Sequence, residues 1–232
     1  YLALIVAMYF LAREYLEDHE LALTAAALVG LSYPVLKYGI EGYSETGALF
    51  LFVASLYLTV RLCKEPSSRL FFSNVGLVTV GFLWKEYSIV AGLILAAAFL
   101  SHSRISLATK VRSSVAAVFI FAAVHIPWQL YVNYAYHFNY LKWSTTSAAG
   151  FSVEFTLKNV VKSLAAILGL AWILVPFGVF PLSSMKPFQR LFSFCATPIP
   201  FIAFLWGYIS SRTFYVIAPP MVLFAVRGMR TW

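Results

Sequence analysis

Residues 70–101, LFFSNVGLVTVGFLWKEYSIVAGLILAAAFLS, hold the reading that decides the fold. Two apolar runs, 70–84 and 87–101, flank Lys85-Glu86. Each is short for a helix that must cross roughly 30 Å of hydrocarbon, which takes about 20 residues. The stretch is either one long helix with a buried ion pair or two helices meeting at a polar break. Charge decides between them. With two helices, Arg13, Arg61, Lys64, Arg69, Arg104, Lys110, Arg112, Lys186, Arg190, Arg227 and Arg230 fall on one side. Lys37, Lys85, Lys142, Lys158, Lys162 and Arg212, the rest of the 17 Lys and Arg, fall on the other. A single helix would put the bases before and after it on opposite sides and erase this bias. An excess of Lys and Arg marks the cytoplasmic side. The break at Lys85-Glu86 is therefore expected on the non-cytoplasmic face.

Working outward, the same apolar runs recur along the chain. Of its 232 residues 61% are apolar and 11% charged, with a mean hydropathy of +0.81. A soluble domain carries about 45–50% apolar and about 25% charged residues, so the chain is read as an integral, multi-pass membrane protein in a lipid bilayer. Spans are expected at 1–12, 21–40, 46–63, 70–84, 87–101, 113–130, 157–180, 190–208 and 213–227, about nine in an all-α bundle. No period-2 alternation competes with them. They form a single domain over 1–232, with one long external loop at 131–156. Cys63 and Cys195 are the only cysteines, which excludes a disulfide scaffold. The bases are scattered between apolar runs, so they serve as orientation signals and do not suggest a nucleic-acid partner. The chain opens inside an apolar run at Tyr1, and it is read as a segment of a longer protein.

Four polar constellations are expected on the non-cytoplasmic face. Glu41-Gly42-Tyr43-Ser44-Glu45 follows a span kinked at Pro34. Its two carboxylates, four residues apart, suit a sugar hydroxyl, an amine or a metal, and equally a solvated connector. Lys85-Glu86 suits a phosphate contact, the ammonium acting as a point charge, or a lysine snorkelling to the headgroups. His125, Pro127 and Trp128 end a span and lead into Tyr131, Tyr134, Tyr136, His137, Phe138, Tyr140 and Trp143. This is an interfacial aromatic belt or the wall of a sugar or lipid cavity. His125 and His137 lack the spacing and the third ligand of a metal site. Arg212-Thr213-Phe214-Tyr215 precedes Pro219-Pro220, and an Arg at a cavity mouth clamps phosphate.

In order and position, four stretches resemble the GT-C superfamily of membrane glycosyltransferases, nearest its protein O-mannosyltransferase and aminoarabinose transferase branch. They are 22–60 (ALTAAALVGLSYPVLKYGIEGYSETGALFLFVASLYLTV), 76–86 (GLVTVGFLWKE), 125–140 (HIPWQLYVNYAYHFNY) and 212–220 (RTFYVIAPP). They are similar to the family's Pro-ended helix with an acidic loop, its Gly-rich helix ending in Lys, its Pro-Trp span end and its late Arg/aromatic span. Many members have Asp where this chain has Glu45.

The resemblance implies transfer of a sugar from a polyprenyl-phosphate carrier to an acceptor at the non-cytoplasmic face, with or without a divalent metal. It implies Glu45 as an acid orienting sugar or acceptor, Lys85 and Arg212 as phosphate contacts, and Trp128 as a cavity wall. The family's catalytic acid lies in an external loop between its first two spans. The first span here matches the family's second or a later one, so that loop is expected upstream and the catalytic residue is not named. A non-catalytic subunit docked to other membrane subunits is the alternative reading. A transporter is the second, although it would need ionisable groups lining a path through the bilayer.

Overall fold

The computed structural model describes residues 1–40, 44–138, 158, 161–162, 165–166, 168–180, 182–201 and 216–231. Every regular element among them is helical. The longer helices are α1 (Leu2–Leu16), α2 (His19–Leu31), α3 (Tyr33–Ile40), α4 (Ser44–Lys64), α5 (Ser68–Trp84), α6 (Ile89–Ser101) and α7 (Leu107–Tyr136). Beyond them come α8 (Val175–Val179), α9 (Pro187–Ala196) and α10 (Ala218–Thr231). Among the described residues two helices are long and apolar enough to cross a membrane, Glu45–Lys64 and Leu107–Tyr136.

The helices begin and end for local reasons. Glu17 terminates α1 in the left-handed region (φ 56), its N–H bonded to the Arg13 carbonyl. Asp18 then caps α2 by accepting from the Leu21 N–H at 3.1 Å, so two residues reverse the chain. Ser32 is extended (ψ 132) and separates α2 from α3, with Pro34 in the first turn of α3, where its missing N–H is not needed. The break expected at Lys85 is present. Lys85 is extended (φ −154, ψ 134), and a 3-10 turn at Glu86–Ser88 leads into α6. Two expectations are corrected: the helix on the span expected at 190–208, α9, stops at Ala196 ahead of Pro198 and Pro200, and residues 131–136, read as the start of a loop, continue α7. Nothing in YVNYAY breaks a helix, and Pro127 is accommodated inside the helix at the cost of one backbone bond. The remainder of that loop, 139–156, lies outside the described residues.

α4 is the pivot of the bundle. It packs against α1 on one side and α5 and α6 on another, while α10 packs on α2 and α8. The main apolar core gathers Leu4, Met8 and Leu11 of α1, Phe52, Val53 and Leu56 of α4, and Val222 through Val226 of α10, all at most 1% exposed. α4 and α5 are also joined by a buried polar cluster. Asn74 Nδ2 donates to the Ser55 carbonyl (2.9 Å) and to Thr59 Oγ1 (2.8 Å), and Ser55 Oγ donates to Asn74 Oδ1. Such interhelical bonds fix register between apolar helices, at about 0.6–2 kcal/mol each. α7 is different. Its apolar side chains, Val115, Val118, Phe119 and Ile126 among them, are exposed, the pattern of a helix that faces lipid.

Candidate functional site

The register set by Asn74 carries the first turn of α4 to the end of α5. There Glu45 and Lys85, 40 positions apart in sequence, meet with Oε1 and Nζ 3.4 Å apart. The Glu45 side chain is 4% exposed and that of Lys85 30%. Three features hold the pair in place. Tyr87 donates its hydroxyl to the Glu45 backbone carbonyl at 3.0 Å. The Trp84 indole lies across Gly47, where a Cβ would come within 2.9 Å of Trp84 Cζ2. Gly81 likewise leaves room for Ser88, whose Oγ a Cβ there would approach to 2.9 Å. Both glycines admit a neighbouring element that alanine would push away.

The electrostatics favour a charged pair open on one side. Glu45 sits in the first turn of α4, where the helix dipole stabilises an anion. An ammonium to carboxylate separation of 3.4 Å is longer than the 2.7–2.9 Å typical of a charge-assisted hydrogen bond, and an ammonium has three donors. Lys85 can therefore face Glu45 and still reach a second anion through its exposed side. The carboxylate can accept a hydroxyl proton or orient the hydroxyl. Ser88 adds a further polar group in the same turn. Its Oγ is buried and has no hydrogen-bond partner among the described residues.

Of the four residues singled out in the sequence, the fold brings two together. Trp128 lies on α7, 45% exposed, with its ring against Tyr131 at 5.9 Å. No hydrogen bond or ring contact links it to Glu45 or Lys85. Arg212 lies outside the described residues, as does Glu41. Sequence reading missed Tyr87, Ser88 and Trp84, although all three flank Lys85-Glu86. It also grouped Lys85 with its neighbour Glu86, while the structure sets the Glu45 carboxylate against Lys85. His125 packs between the rings of Phe82 and Phe121, with centroids at 4.7 and 4.1 Å. Among the described residues no three His, Cys, Asp or Glu side chains gather as a metal site requires.

The family of dolichyl-phosphate-mannose-protein mannosyltransferases matches residues 1–128, more than half of the chain. The chain belongs to this family. The match takes in both members of the ion pair and ends at Trp128, short of Arg212. No curated protein and no solved structure matches the chain. Membership supports a GT-C mannosyltransferase-like membrane protein and implies glycosyltransferase activity by family resemblance, and the two long apolar helices among the described residues fit a membrane protein. The family draws its sugar from a polyprenyl-phosphate-linked donor.

Proposed function

We propose that this chain forms a membrane part of a glycosyltransferase that moves a sugar from a polyprenyl-phosphate carrier to an acceptor at the non-cytoplasmic face. The single observation that carries the reading is the buried Glu45 carboxylate set against the half-open Lys85 ammonium at the junction of α5 and α6. Burying a carboxylate is expensive unless it is paired, and a charge pair at that depth in a membrane bundle marks function. Lys85 and Arg212 hold the carrier phosphate as its negative charge grows on departure from the sugar, an electrostatic role. Glu45 orients the sugar or the acceptor. Trp128 lines the cavity from α7.

The nine-span, single-domain arrangement belongs to the same reading. It is supported by the helices lying on the first six expected spans and by the company the bases keep. Lys64, Arg104, Lys186, Arg227 and Arg230, all counted on the cytoplasmic side, line two adjoining cavities that share Glu17. Glu45 and Lys64 stand 19 residues apart on α4, roughly 28 Å at 1.5 Å per residue, close to a hydrocarbon thickness. In a full-length enzyme, Lys85→Ala and Arg212→Ala should each lower transfer from the polyprenyl-phosphate donor by about 10²–10³-fold without loss of helix content. Wild-type rates in both variants would overturn the assignment.

A further inference from the structure

The Lys64 end of the bundle holds a polar cavity that the proposed reaction does not use. It has a volume of about 490 Å³ and is lined by Glu17, Ser184, Lys186, Gln189, Arg227 and Arg230. Its charges do not balance. Glu17 is already shared, one oxygen bonded to Lys186 Nζ and the other 3.2 Å from Lys64 Nζ. Arg227 is 7% exposed, and its guanidinium donates to the Gly178 carbonyl at 2.5 Å and to Ser184 Oγ at 2.9 Å. Both acceptors are neutral. No carboxylate pairs with Arg227 or Arg230 among the described residues. A buried cation without a counter-charge is strongly disfavoured, and among the described residues the cavity supplies none to Arg227, so it is suited to an added anion.

We infer that this cavity binds a phosphate-bearing anion, in the geometry of a lipid headgroup. A guanidinium has five donors in a planar fork that matches phosphate, and Arg227 spends two of them on protein. Lys186, which also bonds Glu17, and Arg230 add positive charge at the rim, both exposed. Leu16 and Leu21 give the cavity an apolar wall, which suits the glycerol end of a lipid better than a fully hydrated ion. The cavity adjoins Lys64 through Glu17, at the opposite end of α4 from Glu45. It therefore lies at the other end of the bundle, where basic pockets between helices take lipid phosphates.

Native mass spectrometry of the detergent-solubilised chain, offered equal phosphatidylglycerol and phosphatidylcholine, tests this alongside titration with inorganic phosphate. The wild type should retain phosphatidylglycerol preferentially. Lys186→Gln and Arg230→Gln should each weaken retention about fivefold, and the double variant about twentyfold. Arg112→Gln, an exposed base on α7 that does not line the cavity, should change nothing. Binding of inorganic phosphate that the double variant loses, with no lipid preference, would uphold the phosphate site and identify a free ion as its occupant. Equal retention of both lipids with no phosphate binding would overturn the proposal, and so would a loss in Arg112→Gln as large as in the double variant. Should the double variant unfold, competition between phosphatidylglycerol and phosphate on the wild type decides in the same way. The experiment reads binding alone, so its failure leaves the transfer reading untouched.

Discussion

The two ends of α4 carry the same kinds of charge and use them differently. At the Lys64 end, Glu14, Glu17, Lys64 and Lys186 form a chain of ion pairs whose side chains are 22–62% exposed. Lys64 touches two carboxylates, at 2.8 and 3.2 Å, and also covers the Phe188 ring. Each charge has an alternative partner or water. Exposed pairs of this kind contribute about 0–1 kcal/mol. At the Glu45 end the carboxylate is 4% exposed and lies against the Lys85 ammonium, itself 30% exposed. Solvation at the Lys64 end fits the proposed anchor at a membrane surface, and burial at the Glu45 end is what the proposed site requires.

Neutralising one acid at each end breaks the comparison most sharply. In a full-length enzyme Glu45→Gln should reduce kcat/KM for transfer about 10–100-fold, by analogy with the loss of a positioned acid–base or orienting group. Glu14→Gln should leave it within about twofold, as an exposed pair predicts. Steady-state transfer assays on both variants check this. Equal losses would erase the distinction.

The next effect is on stability. Asn74 fixes the α4–α5 register between the two ends, so Asn74→Leu should destabilise the fold by about 1–2 kcal/mol. It should also lower transfer by disturbing the approach of Lys85 to Glu45. Thermal unfolding in detergent, paired with the same assay, reads both. An unchanged midpoint would mean that apolar packing alone sets the register.

The smallest effect concerns acid. Hydrogen bonding from Lys186, outweighing a desolvation that acts the other way, holds the Glu17 carboxyl below its ordinary value, with Lys64 helping. Its folded pKa lies below its unfolded one, so its stabilisation is complete above the ordinary carboxylate range and is lost as pH falls through the folded value. Burial pushes the His102 imidazole down, only partly opposed by a hydrogen bond with the Cys63 backbone. Because the unfolded chain takes up that proton first, stability should begin to fall as pH drops below the ordinary imidazole value of about 6.5. Midpoints measured from pH 7.5 to about 2 should decline in two shallow steps, both attributable to the Lys64 end. Lys186→Gln should flatten the lower step, and His102→Gln the upper one.

Much of the fold was legible because apolar length and charge bias are properties of the sequence alone. The break at Lys85 follows from two runs too short to span and from a bias that survives only if they are separate. The interruption near Pro34 follows from proline chemistry. What stayed hidden depends on which helix faces which. Ser55, Thr59 and Asn74 lie as isolated polar residues in apolar runs, and only the α4–α5 contact makes them one cluster. Lys85 was read beside Glu86, its neighbour in sequence, because nothing local announces Glu45 forty positions earlier. Arg227 was counted among surface anchors by its position after an apolar run, yet the close passage of α8 and α10 buries it. A Cβ on Gly178 would lie 1.6 Å from the Phe224 carbonyl oxygen, an approach that only glycine permits.

Binding of the sugar-free polyprenyl phosphate to the full-length enzyme tests the central claim most directly. Affinities would be measured in parallel for the wild type, Lys85→Ala and Lys64→Ala. Lys85→Ala should weaken binding about tenfold or more, the worth of a charged hydrogen bond of roughly 1.5–3 kcal/mol, while Lys64→Ala should bind as the wild type does. Equal affinities for all three, or a larger loss in Lys64→Ala, would contradict the claim.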